Sequence, residues 1–147
     1  MIFGTFDYLH PGHRWLIRHA LRRVRDDKSP DAGRPAGLWI VVARDGNVLK
    51  IKGYLPVQNE KDRMEKIKKT FPDAQVQLGD PKNFLQPLKD IQPNVILLGY
   101  DQSLPPGITE EELGVAVERM KPFHPEKYKS SILRAKRRKG LSAETSD

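Results

Sequence analysis

The chain has no cysteine among its 147 residues. Disulfides, thiolate metal sites and thiol redox chemistry are therefore excluded, and the composition agrees with a reducing compartment. Long hydrophobic runs are also missing: the longest, Leu38 to Ala43, falls far below the roughly 18 apolar residues that suggest a membrane span. No basic stretch followed by an apolar one opens the sequence, so no secretory signal peptide is expected. Acidic charge is in the minority, with 19 Asp+Glu against 26 Lys+Arg and a net charge of +7. The basic excess concentrates in Arg14 to Arg25 and in "RAKRRKG", Arg134 to Gly140. Such zones attract phosphates on nucleotides, nucleic acids or membranes, and they also serve as ordinary solvated helix faces.

What is present reads as one domain, since the length leaves no room for a second core. Strand-like runs recur at "LWIVVA" (Leu38 to Ala43), "AQVQLG" (Ala74 to Gly79) and "NVILLG" (Asn94 to Gly99). Two of them are almost unbroken apolar, as strands covered on both faces tend to be. Helical patterns lie between them. Gly12 to Val24 turns Trp15, Leu16, Ile17, Ala20, Leu21 and Val24 inward, Asn59 to Phe71 turns Met64, Ile67 and Phe71 inward, and a shorter one spans Asn83 to Ile91. Asn59 with Asp62, and Thr109 with Glu112 ahead of Leu113, Val115 and Val117, are helix-start signatures. The alternation predicts an α/β fold with a Rossmann-like, doubly wound, open parallel sheet, whose ligands sit outside the carboxyl ends of the strands. Asp26 to Gly37 is expected to be a surface loop, residues 1–134 the folded domain, and residues 135–147 a basic helix end with a frayed tail.

The candidate site starts at "FGTFDYLHPGH", Phe3 to His13. If Gly12 opens a helix, the imidazoles of His10 and His13, the free backbone N–H groups and the positive end of the helix dipole converge on an anion. Gly4 would admit a phosphate close to the backbone, and the Thr5 hydroxyl could donate to it. Metal ligation by the two histidines competes, but no third ligand stands at a suitable spacing. Asp7 fits either a Mg²⁺ contact or a turn-stabilising role. Lys50 and Lys52, alternating as "KIK", would place two ammonium groups on one face, or form an exposed basic strand. "GYDQ", Gly99 to Gln102, falls where backbone groups and Asp101 could read the edge of a base.

"GTFDYLHPGH" resembles the H-x-G-H signature of the nucleotidyltransferase superfamily, in the form typical of its cytidylyltransferase-like branch. "VVARDGNVLKIKG", "NEKDRMEKIKK", "VQLGD" and "PNVILLGYDQ" are most similar to its archaeal-type FAD synthase group. The resemblance implies an adenylyltransferase that moves AMP from ATP to a phosphorylated acceptor, FMN giving FAD, with release of pyrophosphate. It implies His10, His13, Lys50 and Lys52 as catalytic groups. Phe3, Gly4, Thr5, Phe6, Gly12, Arg63, Gly99, Tyr100, Asp101 and Gln102 would bind the nucleotide. "YKSSILR" resembles the family's serine-rich helix start, so Lys129, Ser130 and Ser131 would face the β- and γ-phosphates. Mg²⁺ is implied with ATP, and no protein-held metal. The implied partners are small molecules, ATP and FMN or another phosphorylated acceptor, with neither membrane nor nucleic acid, a homodimer as the assembly to look for, and the cytoplasm as the compartment. A cytidylyltransferase making a CDP-linked small alcohol and a non-catalytic nucleotide- or RNA-binding module are the competing readings.

Overall fold

The computed structural model describes residues 1–26 and 37–121. Most of the Asp26 to Gly37 loop, the "YKSSILR" segment with Lys129, Ser130 and Ser131, and the basic tail lie outside the described residues. The expected alternation is present: β1 (Ile2–Gly4), α1 (Pro11–Arg25), β2 (Trp39–Val42), α2 (Asp45–Lys52), α3 (Glu60–Thr70), β3 (Gln75–Leu78), α4 (Gln86–Ile91), β4 (Val95–Leu98), α5 (Glu110–Leu113) and β5 (Ala116–Arg119). All strand pairs are parallel. β2 lies between β1 and β3 with Ile2 opposite Ile40 and Ile40 opposite Val76, and β4 pairs with β5 with Val95 opposite Ala116. Two bonds join β1 to β4: the Met1 nitrogen donates to Val95 O (2.8 Å) and Leu97 N to Met1 O (3.0 Å). The strand order is therefore 3-2-1-4-5. It reverses direction between β1 and β4, the point at which open α/β sheets bind ligands.

Alternate residues of each strand enter two different cores. Ile2, Ile40, Val42 and Leu97 pack with Ile17 and Ala20 of α1 and Ile67 of α3 on one face of the sheet. Phe3, Val41, Ile96 and Leu98 pack with Leu88 of α4 and Leu113 of α5 on the other. Burial on both faces is why "LWIVVA" and "NVILLG" lack a polar alternation. Of the residues expected to face inward from α1, Trp15 departs. It joins neither core and stacks on the exposed His19, ring centroids 4.8 Å apart.

Two further expectations are corrected. Thr109 does cap a helix, accepting from Glu112 N, but that helix ends at Gly114 in the left-handed conformation (φ 67°). The chain then runs into β5, so Val117 belongs to a strand rather than to a continuing helix. The "KIK" segment is helical, not extended. Gly53 closes α2 with φ 80°, its N–H donating to Leu49 O at 2.9 Å. Within this helix only Val48 is buried, and Leu49 and Ile51 remain about half exposed. With so little apolar periodicity, sequence spacing could not reveal it.

Candidate active site at the β1–β4 crevice

The turn after β1 is built from unfavourable backbone. Phe6, Tyr8 and Leu9 adopt left-handed conformations (φ 54°, 70° and 43°), each costing an L-residue roughly 1–2 kcal/mol. Distant contacts hold them there. The fully buried Asp7 accepts from the backbone N–H of Val57 (2.9 Å) and Gln58 (3.0 Å), and Gln58 Oε1 accepts from Tyr8 N (3.0 Å). Asp7 thus ties the turn to the loop before α3, which differs from both the metal contact and the local turn offered by the sequence. Gly4 has a structural task as well. A Cβ there would stand 3.2 Å from the Phe6 ring, so the glycine makes room for Phe6. Phe3 and Phe6 are themselves buried, Phe3 edge-on to Phe84 at 5.1 Å. They wall the site instead of presenting their side chains to a ligand.

His10 is the N-cap of α1. Its Nδ1 accepts from Gly12 N (3.1 Å) and His13 N (3.3 Å). The two backbone donors expected to be free for an anion are therefore already occupied, which corrects the role given to Gly12. The same bonds dictate the tautomer. With Nδ1 as acceptor, the neutral ring carries its proton on Nε2, and this buried Nε2 has no hydrogen-bond partner among the described residues. His13 stacks on His10 with centroids 3.6 Å apart, and Phe6 meets His13 edge-on at 5.4 Å. Burial lowers the His10 pKa to about 4. His13 lies well below its usual value through burial, with the charges of His10 and Lys52 as lesser causes. At neutral pH both rings are uncharged, and His10 offers a donor with no competing partner among the described residues.

This arrangement has a consequence for stability. Between a histidine's unfolded pKa near 6.5 and the folded value of about 4 for His10, the unfolded chain binds more protons. The contribution of neutral His10 is complete above about pH 6.5 and is lost as pH falls towards 4. Urea unfolding is expected to show a steeper loss between pH 7 and 4.5 for wild type than for His10→Asn. Parallel profiles would mean that His10 is not buried in its neutral form.

The second wall starts at "ARDG". Arg44 donates to Gly79 O (2.7 Å) and to Glu60 (2.8 Å). Asp45 N donates to the Glu60 carboxylate and Glu60 N to the Asp45 carboxylate, both at 3.1 Å, so α2 and α3 cap one another. Arg63 sits beneath with no solvent exposure. It donates to Thr5 O (2.7 Å), Ala43 O (2.9 Å), Gln58 O (3.0 Å) and Asp45 Oδ1 (2.6 Å). The resemblance implied a nucleotide-binding role for this arginine. In the structure its guanidinium holds the carboxyl ends of β1 and β2 in register. Lys52 does reach the site, its Nζ donating to Thr5 Oγ1 at 3.2 Å. Lys50, two residues earlier on a helix, points about 200° away. The two ammonium groups do not share a face.

Across the crevice, Gly99 to Gln102 follow β4. Gln102 Oε1 accepts from Gly99 N (3.0 Å) and Gln102 Nε2 donates to Phe3 O (2.6 Å). Its side chain is thus engaged by the protein, not displayed to a base. Asp101 is exposed and Tyr100 half-buried. Arg119, from the strand the sequence did not reveal, donates through Nη1 to Gly99 O (3.0 Å), Tyr100 O (3.3 Å) and Gln102 O (2.8 Å).

The strand switch thus carries a buried imidazole donor on one side and a braced loop on the other. The cytidylyltransferase-like family profile matches residues 1–143. The chain belongs to the cytidylyltransferase-like family. Among curated relatives, FAD synthase of Methanobrevibacter smithii is 35% identical over 137 residues, covering 89% of this chain and 84% of that protein. FAD synthase of Aciduliprofundum boonei is 33% identical, covering 94% and 85%. FAD synthase of Methanosarcina acetivorans is 38% identical over 111 residues, and the match spans 75% of this chain but 64% of that protein. The crystal structure of the lipopolysaccharide core biosynthesis protein from Thermoplasma volcanium superposes with a TM-score of 0.67 at 23% identity, covering 84% of this chain and 95% of that one. It establishes the shared fold.

Within this cytidylyltransferase-like domain, the structure gathers Thr5, His10, His13 and Lys52 on the β1 side, with Gly99 to Gln102 opposite. It leaves Lys50 outside and turns Phe3, Phe6, Gly12 and Arg63 into supports. Among the described residues, no group of three or more His, Asp or Glu could hold a metal ion, and no helix is long and apolar enough to cross a membrane.

Proposed function

We propose that the chain is an FMN adenylyltransferase: the FMN phosphate attacks the α-phosphorus of ATP, giving FAD and pyrophosphate. The observation that carries this reading is the buried His10 Nε2–H, fixed in its tautomer by the α1 cap and without a hydrogen-bond partner among the described residues. An oxygen of the FMN phosphate forms the new bond to the α-phosphorus. The bond from that phosphorus to the bridging oxygen breaks, and its electron pair leaves with pyrophosphate. Negative charge rises on the α-phosphate oxygens and the leaving group, where a pre-aligned donor counts most. His10 supplies such a donor, His13 fixes its plane by stacking, and Lys52 with Thr5 adds a cation and a hydroxyl. The relatives named FAD synthase favour ATP and FMN over CTP and a small alcohol phosphate.

Asp7 and Asp45, the acidic residues beside His10 and Lys52, are engaged by backbone N–H groups and by Arg63, so they do not fit a protein-held cation. Mg²⁺ is instead proposed to arrive on ATP as part of the substrate, where it offsets triphosphate charge. We place the reaction in the cytoplasm and leave a homodimer as the expected assembly.

Pyrophosphate release from ATP and FMN, with CTP and other acceptor phosphates in parallel, tests the reading. FAD formation with ATP in preference to CTP is the expected result. Equal or better use of CTP across the panel would reassign the chain to cytidylyl transfer, and nucleotide binding without pyrophosphate release under any pairing would make it a binding module. The two lysines are also separable. Lys52→Ala should weaken ATP binding roughly tenfold, the worth of one charge-assisted hydrogen bond, while Lys50→Ala should change it by less than about twofold, as exposed charges do. Equal losses would restore the paired-lysine reading.

A further inference from the structure

The β1–β4 ladder runs Met1 N to Val95 O and Leu97 N to Met1 O. In the same parallel register, beyond Phe3 N to Leu97 O, the ladder would bring Gly99 N to Phe3 O. Both groups are present, but neither bonds the other. The carboxamide of Gln102 lies between them, its Oε1 on Gly99 N and its Nε2 on Phe3 O. A side-chain amide has replaced one rung, with the same donor and acceptor satisfied and the strands held apart by its width. The spreading occurs at the strand switch, beside the turn that carries His10. The loop bearing the amide is itself fixed, because Arg119 binds the carbonyls of Gly99, Tyr100 and Gln102.

We propose that Gln102 is a wedge that opens the β1–β4 crevice to admit the base of the nucleotide, with Arg119 anchoring the loop that carries it. Both are positioning residues, and the inference rests on the reading that this crevice binds a nucleoside triphosphate. Without the amide, Phe3 O and Gly99 N must pair directly, closing the gap, or stay buried and unpaired. The triphosphate end, near His10 and Lys52, does not depend on the wedge.

The test is calorimetric titration of the whole chain with ATP and with inorganic tripolyphosphate, alongside steady-state kinetics. Gln102→Ala is expected to weaken ATP binding by about tenfold, the worth of an interaction of order 1.4 kcal/mol, while leaving tripolyphosphate affinity unchanged and kcat at saturating ATP within about threefold. Gln102→Glu provides a second readout. A protonated carboxyl can accept from Gly99 N and donate to Phe3 O as the amide does, whereas a carboxylate opposes the Phe3 carbonyl. Its ATP affinity relative to wild type should therefore recover as pH is lowered through the carboxyl titration. Should Gln102→Ala not fold, this pH dependence decides the matter. Wild-type ATP affinity in both variants at neutral pH, or equal loss of ATP and tripolyphosphate, would overturn the wedge. Wild-type protein that binds ATP but releases no pyrophosphate with FMN overturns the proposed reaction and leaves the wedge to be judged on binding. Protein that binds no nucleotide overturns both.

Discussion

Replacing His10 by Asn is expected to lower kcat by on the order of 10²–10³, the range seen when a pre-aligned transition-state donor is removed. Asparagine is the informative substitution because His10 has two tasks. Its Nδ1 caps α1 through Gly12 N and His13 N, and losing such a cap to alanine costs about 1 kcal/mol. Asparagine is a good N-cap, so it retains that contribution and removes only the Nε2–H. His10→Ala should show the same kinetic loss together with a lower unfolding midpoint. A His10→Asn enzyme with wild-type kcat would remove the imidazole from the reaction and leave it as a cap.

The largest effect on stability is expected at Arg63. Its guanidinium is wholly buried and serves three backbone carbonyls and the Asp45 carboxylate. Arg63→Met takes these donors away and leaves the carbonyls of Thr5, Ala43 and Gln58 without them. Breaking a buried, hydrogen-bonded ion pair from one side typically costs about 3–5 kcal/mol. Urea unfolding should register a loss of that size. Arg63→Lys should recover little of it, since an ammonium cannot reproduce the planar fork that reaches Thr5 and Ala43 together. A loss below about 1 kcal/mol for Arg63→Met would show that the strand ends are held by the sheet alone.

The sheet was legible because strands covered on both faces leave apolar runs, and β2, β3 and β4 were placed within a residue or so of their observed bounds. Motif chemistry likewise pointed to His10, His13, Thr5 and the Gly99 to Gln102 loop, which the fold sets at the carboxyl ends of β1 and β4. Three things were not legible. α2 buries one side chain, Val48, so it carried no periodic signal, and Lys50 was consequently paired with Lys52. β5 is short with mostly exposed residues, which hid Arg119. The orientation of functional side chains is a tertiary property: Gln102 could read a base or replace a ladder rung, and only its position between Phe3 O and Gly99 N distinguishes these. Arg63 taught the same lesson, since charged residues in a helix are usually solvated and this one has no exposure.

The most direct measurement of the central claim follows the phosphorus atoms. ATP labelled at the α-phosphorus, incubated with FMN, Mg²⁺ and the chain, should deliver its label to FAD, and ATP labelled at the γ-phosphorus should deliver its label to pyrophosphate. His10→Asn should give the same distribution at a rate lower by on the order of 10²–10³. An α-label that stays in ATP, or that is released as AMP without joining FMN, would contradict adenylyl transfer at this crevice.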